Sequence, residues 1–277
     1  MQHTSGQLKY AAKYKLRKLG LRPILTTLIF LVICAALGFM ALQLIGYTDY
    51  LMDVYGEYVN VLAADYGHLG DTAESFAEIY SGMLEGLYTA MENVPEWTIP
   101  PIGGVLAAAL MLMLTVFHAG YTYYCFLVSR EETAKLRDIM AGFSCMGKIL
   151  MITIIRGVLT FAGLMLFFLP GIILWYRYRL VYFVLSEHPE YGVFRCLREA
   201  AKAGSVIRLI GLDLSFLGWH ILNYILMLVV MTPVALLWIM PFAHVTRAMY
   251  YNKSVGWTPS MKADVPEEEG EDDAEES

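Results

Sequence analysis

The sequence predicts an all-α protein: a polytopic membrane helix bundle with about six transmembrane helices and an amphipathic helical outer loop. Three observations carry this. First, 57% of the 277 residues are hydrophobic and 17% are charged, against roughly 45–50% and about 25% in a soluble domain. Second, several runs of about twenty residues carry almost no charge, which is what a helix needs to cross a ~30 Å hydrocarbon core. Third, Lys and Arg gather in alternate connections, as the positive-inside rule requires of a multi-pass protein.

The spans read as Ile24–Ile45, Ile102–Val128, Ile149–Leu169, Pro170–Ser186, Leu209–Met231 and Val234–Tyr251. Pro170-Gly171 and Thr232-Pro233 are turn dipeptides that split two long apolar runs into hairpins. The first apolar run is too long for a signal-peptide core and no small-residue cleavage site follows it, so it reads as a retained helix. The chain therefore divides into a basic N-terminal segment, 1–23, a six-helix membrane domain, 24–251, and an acidic tail, 252–277.

Orientation follows from charge. Met1–Arg22 holds six Lys or Arg and no acid, and Pro23–Ser129 holds no Lys or Arg. Setting aside ten acids between Asp49 and Glu96 and nine in the last fourteen residues leaves seven acids against 20 Lys and Arg. The N-terminal segment and the 129–148 and 187–208 connections are basic, so they and both termini are expected on the cytoplasmic side of the membrane. The 46–101 loop is then outside.

That loop is not simple coil. Phe76, Ile79, Tyr80, Met83, Leu84, Leu87, Tyr88 and Met91 recur at helical spacing, with Asp71, Glu74, Glu78, Glu85 and Glu92 mostly opposite. Leu51, Tyr55, Tyr58 and Leu62 form a shorter stripe. The pattern predicts a helical hairpin that either packs on the outer ends of the bundle or caps it as a partner-binding surface. The tail PEEEGEDDAEES is low-complexity and self-repelling, which predicts disorder.

Ionisable groups within spans cost about 2.5–3.5 kcal/mol each on insertion scales and normally face the bundle interior or water. Here they are Arg156, Arg177, Arg179, Asp213, His244 and Arg247. Counted at ~1.5 Å per residue, they fall in one layer of the inner half. Arg177 and Arg179 lie about 200° apart around a helix, so one can meet Asp213 while the other snorkels or meets another helix. The layer reads either as a structural ion pair or as a basic pocket for a phosphate or carboxylate such as a lipid headgroup. His220 and Asn223 read as partners in satisfied interhelical hydrogen bonds. In Tyr191–Gly204, Phe194, Leu197 and Ala201 share one face while Arg195, Arg198 and Lys202 gather on another, a pattern suited to a helix lying against anionic lipid.

Cys34, Cys125, Cys145 and Cys196 match no zinc spacing and read as free thiols. No metal site, cofactor motif or catalytic motif is present in the pattern, and the basic arm suits a topogenic or lipid-facing role as well as a nucleic-acid one. AGFSCMGK (141–148), LPGII (169–173), LDLSFLGW (212–219) and the final Pro241, Phe242, Ala248 and Tyr250 resemble the domain of unknown function 975, a family of uncharacterised bacterial integral membrane proteins. The resemblance implies a multi-helix membrane protein and no activity. Two departures stand out: Met231-Thr232-Pro233 replaces a glycine-rich turn, and WYRYR is more basic than the family pattern.

The expected function is that of a non-enzymatic membrane accessory or scaffold protein binding anionic lipid at the polar layer, with a possible protein partner at the outer loop. The alternative is a small transporter for an anionic substrate, and an enzyme acting on lipid comes third.

Overall fold

The computed structural model describes residues 5–65, 76–230 and 236–257. Among them the secondary structure is helical throughout, with no strand. The helices are α1 (Ser5–Lys18), α2 (Arg22–Leu44), α3 (Tyr47–Asp65), α4 (Phe76–Asn93), α5 (Pro101–Ser129), α6 (Met146–Leu166), α7 (Phe168–Arg177), α8 (Val181–Glu187), α9 (Val193–Ala203), α10 (Val206–Leu214), α11 (Leu217–Val230) and α12 (Leu236–Ser254), with a 3-10 helix at Leu136–Cys145 before α6. The Met231-Thr232-Pro233 turn, most of the acidic tail and the side chains of Asp71, Glu74, Phe76, Glu78 and Ile79 lie outside the described residues.

Four helical stretches are long and apolar enough to cross a membrane: Arg22–Leu44, Pro101–Ser129, Leu136–Leu166 and Phe168–Glu187. A fifth results if Val206–Leu214 and Leu217–Tyr224, bent by 40° at their junction, form one broken span. Over its described residues α12 is shorter and carries His244, Arg247 and Lys253.

The chain forms two compact units, residues 1–30 with 116–277, and residues 31–115. The first unit has its core where α5, α6, α8, α9 and α12 meet. Val116, Ile152, Leu180, Val184, Cys196 and Ala248 are buried there. Where the sequence placed a turn at Pro170-Gly171, the chain reverses at Phe167, whose backbone is extended (φ −158°, ψ 147°). Pro170 is instead the third residue of α7, in the first turn of the helix, where no intrahelical partner exists for its missing N–H. Gly171 then lets α6 and α7 approach closely: a Cβ on Gly163 would sit 3.0 Å from the Gly171 Cα. Small residues at such crossings let backbones pack without any hydrophobic gain from lipid.

The 129–148 connection is an ordered element, not only a basic loop. Its 3-10 helix lies against α5 through Gly120 and Gly142, where a Cβ on either would overlap the facing carbonyl oxygen of Ile139 or Val116. At its start the Lys135 N–H donates to Asp138 Oδ2 at 2.6 Å.

The basic N-terminal arm is also a packed helix. Its Leu8, Ala12, Lys15 and Leu16 are buried, and α1 lies along α12. Of the topogenic or lipid-facing role expected of this arm, the lipid-facing part does not extend to Lys15, which is only 6% exposed and donates to the Ser129 carbonyl oxygen at 2.8 Å.

In the second unit, α3 and α4 form an antiparallel hairpin. Gly82, Gly86 and Ala90 supply the packed stripe of α4, and a Cβ on Gly86 would meet Leu62 at 3.2 Å and Tyr58 at 3.5 Å. Asn93 Nδ2 donates to Glu57 Oε1 at 3.0 Å. At the base of the hairpin, the Trp97 indole N–H donates to the Ile45 carbonyl oxygen at 2.9 Å, and its ring meets Tyr47 edge-on. Gly46 makes the break between α2 and α3 at φ +69°, a conformation that costs glycine little.

Candidate functional site

Asp213 is the penultimate residue of α10, just before the bend into α11. It is held by two arginines from different parts of the chain. Arg247 of α12 reaches Oδ1 with Nη2 at 3.0 Å and Nε at 3.2 Å, while Arg179 makes an ion pair with Oδ2. All three side chains are largely buried, between 14% and 23% exposed. One carboxylate thus answers two guanidinium groups, and the cluster carries a net positive charge.

Both polypeptide breaks in this region coincide with those charges. Arg179 sits in the tightened turn between α7 and α8, where Arg179 N–H donates to the Tyr176 carbonyl and Val181 N–H to Tyr178, three residues back in each case. Short 3-10 stretches inside a longer helix often mark functional hinges. At the second break, the Phe216 N–H donates to the Asp213 carbonyl oxygen at 2.9 Å. Lys9 of α1 covers the same bend: its ammonium donates to the Ser215 carbonyl oxygen at 2.6 Å and sits 4.2 Å from the Phe216 ring centroid.

The remaining residues of the polar layer divide. Arg156 of α6 lies over the Trp175 ring of α7 at 4.5 Å and, among the described residues, pairs with no carboxylate. Arg177 is exposed and makes no ion pair there either. His244, one turn before Arg247, belongs to an aromatic cluster: its ring meets His118 edge-on at 5.4 Å and Tyr121 at 5.2 Å. His118 in turn meets Tyr182, whose hydroxyl bonds Thr153 Oγ1 at 2.9 Å. The expected hydrogen bonding of Asn223 is not found: its Oδ1 is buried and accepts no hydrogen bond from the described residues.

The helix expected to lie against anionic lipid is α9 (Val193–Ala203). Its buried face is Cys196, Leu197 and Ala200, so the apolar face expected to hold Phe194 and Ala201 is rotated, and Phe194 is 75% exposed. Exposed beside it are Arg195, Arg198 and Lys202. Arg195 lies 3.7 Å over Tyr191, and Lys202 pairs with Glu199 at 2.9 Å, a hydrogen bond that holds the Glu199 carboxyl below its usual range. Burial pushes the Cys196 thiol up, which makes it a poor nucleophile.

A second polar cluster was not singled out by sequence reasoning. Glu187, at the end of α8, accepts from Arg130 at 2.5 Å and from the Tyr251 hydroxyl at 2.6 Å. Arg130 Nε also donates to Asn252 Oδ1 at 3.0 Å, and Asn252 Nδ2 donates to Ser129 Oγ at 2.8 Å. Lys15 completes the group through Ser129 and an ion pair with Glu131 at 3.1 Å. The available signal was that no Asp or Glu lies between Asp138 and Glu187, which leaves Glu187 as the isolated carboxylate at the end of an apolar run. Every polar group here has a partner, so this cluster fastens α1, α5, α8 and α12 together.

Among the described residues no three His, Cys, Asp or Glu side chains are grouped to hold a metal ion. Chemically, the Asp213 layer offers guanidinium donors in excess of carboxylate, which suits recognition of a phosphate or carboxylate. No curated protein and no solved structure matches the chain. A family model, described as protein of unknown function DUF975, matches residues 158–255, about a third of the chain. The match takes in LPGII, LDLSFLGW and the last helix but starts after AGFSCMGK. It spans Arg177, Arg179, Asp213, His244 and Arg247, with Arg156 two residues before it, so the polar layer lies almost wholly in the part of the chain that resembles this uncharacterised family.

Proposed function

We propose that this protein is a non-enzymatic accessory or scaffold protein of the bacterial cytoplasmic membrane, with both termini in the cytoplasm, that holds an anionic lipid headgroup at the polar layer. One observation carries the reading: Asp213 is already shared between Arg179 and Arg247, while Arg156 and Arg177 pair with no carboxylate among the described residues. Cations left over near apolar surface are where a phosphate gains most, because charge-assisted hydrogen bonds strengthen as water is excluded. The exposed Phe194, Arg195, Arg198 and Lys202 of α9 support the same reading, since an apolar side chain among cations suits the headgroup layer of anionic lipid.

A second reading, a small transporter for an anionic substrate, is favoured by one specific feature. Transporter sites form where spanning helices are discontinuous. Here Arg179 lies in the break between α7 and α8, and Asp213 lies at the bend between α10 and α11.

Native mass spectrometry after gentle extraction tests the first reading. The wild type should retain phosphatidylglycerol or cardiolipin, and Arg156→Gln with Arg177→Gln should lose it while keeping the Asp213 ion pairs. Equal retention by both proteins refutes it. Retention of a soluble anion in place of lipid points to the transporter.

A further inference from the structure

The α3–α4 hairpin has three distinct faces. On α4 the packed stripe is Gly82, Gly86 and Ala90, so the large apolar residues that the spacing had marked are not what hold the hairpin together. Tyr80, Leu84, Leu87 and Met91 are exposed, at spacings of four, three and four. On α3, Met52, Tyr55 and Val59 are exposed at spacings of three and four, while Val54 and Val61 are buried. Spacings that alternate three and four are those of helices that pack along their length against other helices.

At 100° per residue, each apolar seam lies about 110–130° from its own packed stripe, in the direction of chain progress. In an antiparallel pair that rotation brings both seams to the same side of the hairpin. The acids Asp49, Asp53 and Glu57 of α3, and Glu85 and Glu92 of α4, are turned by a similar angle the other way, to the opposite side. The hairpin thus carries one long apolar face and one acidic face, the pattern of a helix pair that closes on another pair.

We infer that this apolar face is the interface with a second copy of the same chain, two hairpins closing face to face about a two-fold axis into a four-helix bundle. Size is consistent with it: from their fractional exposures the seven seam residues offer roughly 800 Å² per chain, about the 800 Å² per partner of a standard stable interface. Charge supports it as well. Face-to-face closure leaves both acidic faces pointing outward, so the self-repulsion that a wholly acidic surface would impose on a homodimer is avoided. A bilayer surface fits less well. Residues 31–115 contain no Lys or Arg, whereas helices that lie in the headgroup layer draw on cations to hold anionic lipid.

Sedimentation of the full chain in mild detergent tests this. The wild type should run at twice the 31.2 kDa chain mass, Leu84→Asp with Leu87→Asp should run at the single mass with helicity retained, and Glu92→Gln on the opposite face should remain dimeric. Should the double variant lose helicity, Leu84→Gln alone, which keeps a good helix former, should still weaken the dimer. In intact membranes, Leu87→Cys should cross-link to its own copy. A monomeric wild type with no cross-link overturns the inference, as does a dimer that survives both sets of substitutions with helicity retained. A monomer in which a fluorophore at Leu87→Cys is quenched by brominated lipid overturns it too and assigns the face to the bilayer.

Discussion

Lys9 donates its ammonium to the backbone carbonyl oxygen of Ser215 at 2.6 Å, across 206 residues of sequence. That oxygen lies at the bend between α10 and α11, two residues after Asp213. The basic N-terminal arm is therefore part of the scaffold that sets the polar layer. Desolvation lowers the Lys9 pKa, and the carbonyl and the face of Phe216 are what its charge receives in exchange for water.

Lys9→Met should lower stability by about 1.5–3 kcal/mol, the range for a hydrogen bond to a charged group. Lys13→Met, on the exposed side of the same helix, should change it by less than about 0.5 kcal/mol. Thermal unfolding of the two variants in one detergent compares them directly.

Asp213→Asn leaves two largely buried arginines with a neutral partner and should cost about 3–5 kcal/mol, as for a broken buried pair. Arg247→Gln should cost less, because Asp213 keeps Arg179. Denaturation midpoints for the two variants check the order; Arg247→Gln as damaging as Asp213→Asn would mean that the carboxylate depends on Arg247 alone.

Glu187→Gln and Tyr251→Phe should each destabilise, and together by less than the sum of the two. Tyr251→Phe removes the 2.6 Å hydrogen bond and Glu187→Gln takes the charge from its acceptor, and groups within one network typically couple by about 0.5–3 kcal/mol. A double-mutant cycle on thermal stability measures that coupling.

Gly120→Ala should disrupt folding, because the new methyl would overlap the Ile139 carbonyl oxygen and neither backbone can yield without moving the 3-10 helix. Gly147→Ala, near the start of α6 with nothing within 4 Å of the added carbon, should be neutral or stabilising by up to about 1 kcal/mol. Expression yield and melting temperature separate the two.

Much of this was legible in the sequence, because the bilayer constrains composition so strongly. Uncharged runs gave the helices, and depth counting brought Arg179, Asp213 and Arg247 into one layer before any contact was known. What stayed hidden depends on rotation and on long-range contact. The 200° between Arg177 and Arg179 showed that they diverge, but only the fold shows that Arg179 reaches Asp213. Arg130 and Lys15 read as topogenic charge because nothing local to them reveals Glu187, Asn252 or Ser129. Pro170 looked like a turn, since proline in the first turn of a helix and proline in a loop have the same sequence signature. In α4 the large apolar residues outweighed Gly82, Gly86 and Ala90, although close packing of two helices can rest on the small ones.

If Arg156 and Arg177 hold an anionic headgroup, a thermal-shift titration with short-chain lipids will register it. A ligand that binds only the folded state stabilises by about 2.7 kcal/mol at a hundred times its Kd. Phosphatidylglycerol should raise the melting temperature of the wild type well above the effect of phosphatidylcholine, and Arg156→Gln with Arg177→Gln should remove that difference while leaving the lipid-free melting temperature nearly unchanged. Equal shifts with both lipids, or a full shift in the double variant, would show that Arg156 and Arg177 do not hold an anionic headgroup.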